Sequence, residues 1–312
     1  MQIGMVGLGR MGMNMALRLL RGRHRVVAYN RTPEKVKEVI KKGATGAFSL
    51  EALVSSLKPP RHIWIMLPAG LPVDDTIAKL KGLLRRGDTI IDGGNSFYKD
   101  DIRREQQLRP IDIHYMDAGV SGGIWGLKIG YCLMIGGEKK IYKRLEPVFK
   151  TLAPKDGYLY CGPVGAGHFV KMVHNGIEYG MMSAYGEGFG ILNASPYAGG
   201  LDFAKVSHLW NQGSVVRSWL LELAEDAFKK DRGLSKIEGY VEDSGEGRWT
   251  LQQAIDTGVP SPVISAALFQ RFRSQTPDPL SDRVLAALRN EFGGHAVKSK
   301  KKSRKRVVDR KN

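Results

Sequence analysis

The feature that most restricts this chain is Gly7-Leu8-Gly9-Arg10-Met11-Gly12, set between an apolar run at residues 3–6 and an amphipathic stretch reaching Leu20. Strand, glycine-rich turn and helix in that order leave few folds open. The first glycine permits a tight turn and the second lets the backbone approach a pyrophosphate. The third allows the helix to pack closely on its strand, with phosphate held at the helix N-terminus. Glycine-rich turns are common punctuation, so the pattern alone would be weak. With both flanks present it predicts a dinucleotide site built by Gly7, Leu8, Gly9, Arg10, Met11 and Gly12.

The rest of the first half agrees. Residues 3–6, 25–29, 63–67, 89–92 and 111–116 read as strands, while 33–42, 50–57 and 73–84 carry apolar residues at three- and four-residue spacing. Such alternation means a mostly parallel, doubly wound sheet. After Gly165 the pattern changes: residues 166–192 can run as one long helix, and later apolar segments are helical too. The expected class is therefore α/β, an N-terminal doubly wound Rossmann-type sheet followed by an all-helical C-terminal domain. We place a dinucleotide-binding domain at 1–165, an all-helical domain at 166–297, to which the resemblance given below assigns substrate binding and oligomerisation, and a basic disordered tail at 298–312. A length of 312 residues suits two domains.

The second strand ends in Asn30-Arg31-Thr32, where an NAD-selective enzyme usually presents a carboxylate to the adenosine 2′-hydroxyl. No acid stands there. Arg31, helped by the Thr32 hydroxyl, can pair instead with a 2′-phosphate, which favours NADP and leaves NAD as the second candidate. Leu67, Pro68, Ala69 and Asn95 complete the expected cofactor set.

A net charge of +17 suggests a polyanion ligand, but residues 298–311 alone carry +8 and the remainder only +9. A body charge of that size suits small anionic substrates equally well. A nucleic-acid binder using the tail is the rival of another class, motivated by charge alone; a solvated, inert tail is the preferred reading. No uncharged apolar run is long enough to span a bilayer. Cys132 and Cys161 are read as two small buried hydrophobes in a reducing cytoplasm, and no metal site is expected.

Lys171, His174, Asn175 and Glu178 lie at offsets of 0, 3, 4 and 7 within the long helix, so all four share one face. An ordinary surface Lys/Glu pair would look similar. Two further glycine-rich segments weigh against that reading. They are Asp92-Gly93-Gly94-Asn95-Ser96 and Gly119-Val120-Ser121-Gly122-Gly123, each beside a strand end where such sheets receive ligands. Asn95 and Ser121 offer directed hydrogen bonds, and Gly122 and Gly123 expose backbone N–H groups.

These residues resemble the β-hydroxyacid dehydrogenases, whose pattern is matched by Gly165-x-Gly167-x-x-x-Lys171-x-x-x-Asn175. Within that group, Lys-Met-Val-His-Asn-Gly-Ile-Glu-Tyr-Gly at 171–180 looks like the signature of the 6-phosphogluconate dehydrogenases, here in a short form lacking an extra helical repeat. The resemblance covers nearly the whole chain except the tail. Gly247-Arg248-Trp249-Thr250 is similar to the family's Gly-Lys-Trp-Thr. Arg271 falls at an expected phosphate-binding arginine, and Arg289-x-x-Phe292-Gly293-x-His295 resembles a C-terminal substrate motif.

The resemblance implies oxidative decarboxylation of a phosphorylated sugar acid, with Lys171 as base and Glu178 as the later proton donor. It further implies substrate contacts from Asn95, Ser121, Gly122, Gly123, His174, Asn175, Tyr179, Arg271, Arg289 and His295. It also implies a dimer or tetramer whose C-terminal residues reach the neighbouring site. Ser244 departs from the pattern, standing where longer relatives have a phosphate-binding lysine. The rival within the group is a non-decarboxylating dehydrogenase acting on something like 3-hydroxyisobutyrate. It would need Lys171 and Asn175, but not Glu178, Arg271, Arg289 and His295 together.

Overall fold

A computed structural model describes residues 1–298; the tail expected to be disordered lies, from residue 299, outside the described residues. The chain runs β1 (Gln2–Val6), α1 (Arg10–Arg21), β2 (Arg25–Tyr29), α2 (Pro33–Ile40), β3 (Thr45–Ala47), α3 (Leu50–Ser55), β4 (His62–Ile65) and α4 (Leu71–Lys81). It continues with β5 (Thr89–Asp92), α5 (Tyr98–Leu108), β6 (His114–Ser121), α6 (Gly126–Ile129), β7 (Cys132–Gly137), α7 (Lys139–Leu152) and β8 (Tyr158–Gly162). Thereafter the described elements are helical: α8 (Ala166–Ala194), α9 (Phe203–Trp210), α10 (Trp219–Lys230), α11 (Glu246–Thr257), α12 (Pro262–Gln275) and α13 (Leu280–Gly293).

The strand order is β3-β2-β1-β4-β5-β6-β7-β8. Every pairing through β6 is parallel, with the switch in winding between β1 and β4, so helices cover both faces. Burial on both faces explains why β4 and β5 are buried at every residue and read as short continuous apolar runs rather than alternating ones. One core holds Met15, Leu19, Trp64, Tyr131 and Phe149. The other, on the opposite face, holds Leu53, Ile65, Val73, Ile77 and Leu80.

Two features of the strands and the place of both cysteines differ from the sequence reading. The strand expected from residue 111 begins at His114 and runs on to Ser121, so Gly119-Val120-Ser121 is strand rather than turn. β6 and β7 pair antiparallel, with Ser121 opposite Cys132, because the chain doubles back through Gly122–Gly130 instead of crossing over the sheet. Neither cysteine is a buried hydrophobe as expected: Cys132 is exposed at the start of β7 and Cys161 is half-buried on the edge strand β8, where no further strand covers it.

The chain packs as two compact units, one of Met1–Pro196 with Ser244–Ala266, the other of Tyr197–Asp243 with the chain from Ala267. In the first unit α8 packs on β6 and β7, and α11 packs on α8. The second is organised by α9 against α10, where Phe203 and Phe228 meet edge to face at 5.5 Å. Among the described residues no helix is long and apolar enough to cross a membrane.

Candidate active site

The carboxyl ends of β1, β2, β4 and β5 form the nucleotide end of the first unit. Gly7 has a φ of +95°, and a Cβ there would lie 2.3 Å from the Met66 carbonyl oxygen; a Cβ on Gly12 would lie 2.0 Å from the Gly7 carbonyl oxygen. Both positions therefore demand glycine for internal packing. A Cβ on Gly9 would meet no protein atom within 4 Å, so protein packing does not explain that glycine, whereas a phosphate approaching the start of α1 does. Asn30 accepts from the Leu8 amide at 2.9 Å and donates to the Thr32 carbonyl, tying the glycine turn to the end of β2. Arg31 and Thr32 are exposed beside it, as are Pro68 and Ala69 after β4. These residues fit a dinucleotide.

The chemistry-bearing stripe is assembled by the docking of α8. A Cβ on Gly119 would sit 2.4 Å from Lys171 Cβ, and one on Gly167 2.3 Å from the Met134 carbonyl oxygen; glycine at both positions lets the helix press against β6 and β7. Asp117, buried on β6, fixes the register by accepting from the Gly165 amide at 2.7 Å and the His168 amide at 2.8 Å. A carboxylate there also suits the positive end of the helix dipole.

The four expected side chains do converge. Lys171 Nζ, 7% exposed, donates to Asn175 Oδ1 at 2.6 Å and lies 3.2 Å from His174 Nδ1. His174 Nε2 is 3.4 Å from Ser121 Oγ, and its Nδ1 is 3.8 Å from Glu178 Oε2. Burial pushes the Lys171 amine below the usual lysine range, against the upward pull of the Glu178 and Glu246 carboxylates. Burial, then the Lys171 charge, also lowers His174. Gly122 has a φ of +125° and Gly123 of +53°, backbone that non-glycine residues rarely adopt. Tyr179 is buried one turn beyond Asn175, with its hydroxyl 3.3 Å from Ser244 Oγ.

Two groups of residues escaped the sequence reading. His168, 1% exposed, holds Asp101 Oδ2 at 2.7 Å through Nδ1 and the Gly94 carbonyl at 3.1 Å through Nε2, so it braces the turn that carries Asn95. The Asp101 carboxylate favours the imidazolium form, raising His168 above the usual histidine range in spite of burial. Asp92, Asp101 and His168 bring potential metal-donor atoms within 4.8 Å of one another, a grouping the sequence spacing did not show. Arg104 Nη1 lies 3.1 Å from Asp92 and 3.7 Å from Asp101, so a guanidinium supplies positive charge to this cluster. The second missed residue is Glu246, 3% exposed at the start of α11. It accepts from the Asn95 amide and, at 2.6 Å, from Ser244 Oγ.

Arg271, Arg289 and His295 belong to the second unit. Arg271 donates to the Glu242 carbonyl at 2.7 Å, Arg289 is exposed on α13, and His295 meets the Phe292 ring edge to face.

A sheet wound 3-2-1-4-5-6, a glycine turn that fits a dinucleotide and a half-buried amine–amide–imidazole–carboxylate stripe define a nicotinamide-dependent dehydrogenase with a helical second half. Comparisons with known proteins agree. The NAD binding domain of 6-phosphogluconate dehydrogenase matches residues 2–162, and that family's C-terminal domain matches residues 167–310. The chain belongs to the 6-phosphogluconate dehydrogenase family.

A putative 6-phosphogluconate dehydrogenase of Bacillus subtilis is 47% identical over 96% of this chain and all of its own length. An NAD-dependent, decarboxylating 6-phosphogluconate dehydrogenase of Haloferax volcanii is 42% identical over 96% of this chain and 99% of its own. A longer NADP-dependent relative from B. subtilis is 40% identical, but only 61% of its length is matched. Among solved structures, 6-phosphogluconate dehydrogenase of Plasmodium falciparum, studied with NADP and with its substrate, superposes with a TM-score of 0.81. It is 30% identical, over 96% of this chain and 67% of that one. A Mycobacterium tuberculosis 3-hydroxyisobutyrate dehydrogenase, 21% identical with a TM-score of 0.68 over 85% of this chain and 90% of its own, shares the fold.

Proposed function

We propose that this chain oxidises and decarboxylates 6-phosphogluconate to ribulose 5-phosphate and carbon dioxide, reducing NADP in preference to NAD. The observation that carries the reading is the Lys171 amine, nearly buried, lowered in basicity and held on one helix face with Asn175, His174 and Glu178. A simple oxidation needs the amine and the amide; the added carboxylate suits a reaction that must also return a proton.

When bound, the nicotinamide supplies the acceptor for the hydride that leaves C3. Lys171 Nζ, uncharged before the reaction, takes the proton of the 3-hydroxyl. The resulting 3-keto acid loses carbon dioxide readily because the new carbonyl accepts the electron pair of the breaking bond. Lys171, now an ammonium, faces the enolate oxygen, and Glu178 delivers a proton to the carbon that had carried the carboxylate, C2 of the substrate, which becomes C1 of ribulose 5-phosphate. His174 and Asn175 orient the hydroxyls and carboxylate, together with Asn95, Ser121, Gly122 and Gly123. Tyr179, Arg271 and Arg289 take the phosphate.

Residues 1–165 are read as the cofactor-binding part and 166–297 as the substrate-binding and oligomerising part. Arg289 and His295 act in a neighbouring subunit of a homo-oligomer. The exposed apolar face of α13, with Val284, Leu285, Leu288 and Phe292, supports that assembly. The absence of an acid at Asn30-Arg31-Thr32 supports the preference for NADP.

The test is incubation with 6-phosphogluconate and either cofactor, following reduced cofactor by absorbance and released carbon dioxide together. Equal amounts of both products, formed faster with NADP, are expected. Reduced cofactor without carbon dioxide, or turnover only of 3-hydroxyisobutyrate, contradicts the reading. A tenfold or greater preference for NAD would overturn the cofactor choice alone.

A further inference from the structure

Glu246 enters the site from a helix that carries none of the expected catalytic residues. Its place is set by close contact: the Thr250 hydroxyl reaches the Met172 carbonyl of α8 at 2.9 Å, and a Cβ on Gly176 would lie 2.8 Å from Thr250 Cγ2. That packing delivers a carboxylate, buried at the first turn of α11, to Asn95 on the sheet side and to Ser244 beside Tyr179. A buried carboxylate is costly unless its oxygens are hydrogen-bonded, and both of these are engaged.

We propose that Glu246 is a positioning residue of the reaction: it fixes the Asn95 amide at the substrate and holds a negative charge opposite the Lys171 amine. The part played at Lys171 rests on the reading of that residue as the base. Beside the amine stand His174 and Asn175 of α8, with Ser121 at the end of β6 next to His174, while Glu178 of α8, Glu246 of α11 and Cys132 at the start of β7 act on its charge. Of these, Glu178, Glu246 and, last, Cys132 favour the ammonium, and burial, the largest influence, opposes it. Two carboxylates in the site thus have separate duties, Glu178 half-exposed and able to exchange a proton, Glu246 enclosed and fixed.

Two substitutions separate charge from reach. Glu246→Gln keeps the shape and removes the charge, so the acid limb of kcat/KM moves to lower pH. Glu246→Asp keeps the charge and withdraws it from Asn95, so the limb stays while KM for 6-phosphogluconate rises about tenfold, the loss of one charge-assisted hydrogen bond. KM for NADP stays within about twofold in the Gln variant, which leaves Asn95 an acceptor and the glycine turn untouched. An unmoved limb in the Gln variant, or an unchanged KM in the Asp variant, overturns the proposal; should one variant fail to fold, the other decides.

Carbon-13 titration of the Lys171 Cε in the wild-type and Gln proteins gives a readout independent of turnover. The midpoint falls in the variant if Glu246 acts on the amine and stays if it does not. A wild-type protein inactive on 6-phosphogluconate whose Lys171 midpoint nonetheless falls in the variant contradicts the proposed reaction but upholds the effect of Glu246.

Discussion

Lys171 shows how a common residue becomes a base. A lysine in water is an ammonium at neutral pH; burial against β6 penalises that charge and lowers the amine's basicity. Because only the neutral amine accepts the 3-hydroxyl proton, kcat/KM should rise with pH through the Lys171 titration, below the range of an exposed lysine, and then level off. A pH profile of kcat/KM checks this; a profile without an acid limb would argue against the lysine as base. His174 is lowered too, so its ring is read as neutral and able to accept from a substrate hydroxyl.

The residue scale is also where the sequence was most informative. The spacing of Lys171, His174, Asn175 and Glu178 specifies their common face, because a helix period converts offsets directly into neighbours. Glu246 was not legible, since its contact with Asn95 spans 151 residues and no local period connects them. His168 was hidden for a related reason. Its partners Asp101 and Gly94 come from other parts of the chain, and one histidine in an apolar stretch does not reveal them.

Helix α8 is the element on which the site depends. Its 29 residues include glycines that lower helix propensity, but Gly167 and Gly176 have tertiary reasons: one faces the Met134 carbonyl and the other Thr250. Gly119→Ala tests the docking from the strand side. The added methyl would meet Lys171 Cβ, forcing α8 outward at a cost of about 1–3 kcal/mol, typical of overpacking. Thermal unfolding should register that loss, and turnover should fall further than stability because Lys171 is displaced. Wild-type kcat with an unchanged melting point would show that the close approach is not required. The short strand β3 and the antiparallel β6–β7 pair were missed, since three residues carry little pattern and the alternation of apolar runs says nothing of strand direction.

At the scale of the whole molecule, the doubly wound sheet followed by helices was readable because the glycine turn marks its first strand and the change of period marks its end. The division of the body into compact units was less so. The segment Ser244–Ala266 belongs to the unit that holds the sheet, with α11 on α8, although it follows Asp243 of the other unit, and such a return leaves no compositional mark. The charge asymmetry gives a simple expectation: removing the basic tail from Lys298 onward, read from its sequence as inert, should leave kcat within about twofold. Steady-state rates of the truncated protein check this; loss of all activity would assign the tail a part in the reaction.

The central claim is that an amine and a carboxylate two turns apart on α8 divide the reaction between them. Single-turnover measurement of reduced cofactor and released carbon dioxide with Lys171→Ala and Glu178→Ala tests it most directly. The lysine variant should bind cofactor and form neither product, while the glutamate variant should form reduced cofactor in a first turnover and then stall before releasing ribulose 5-phosphate. Near wild-type turnover by the lysine variant, or loss of the first oxidation in the glutamate variant, would contradict the account.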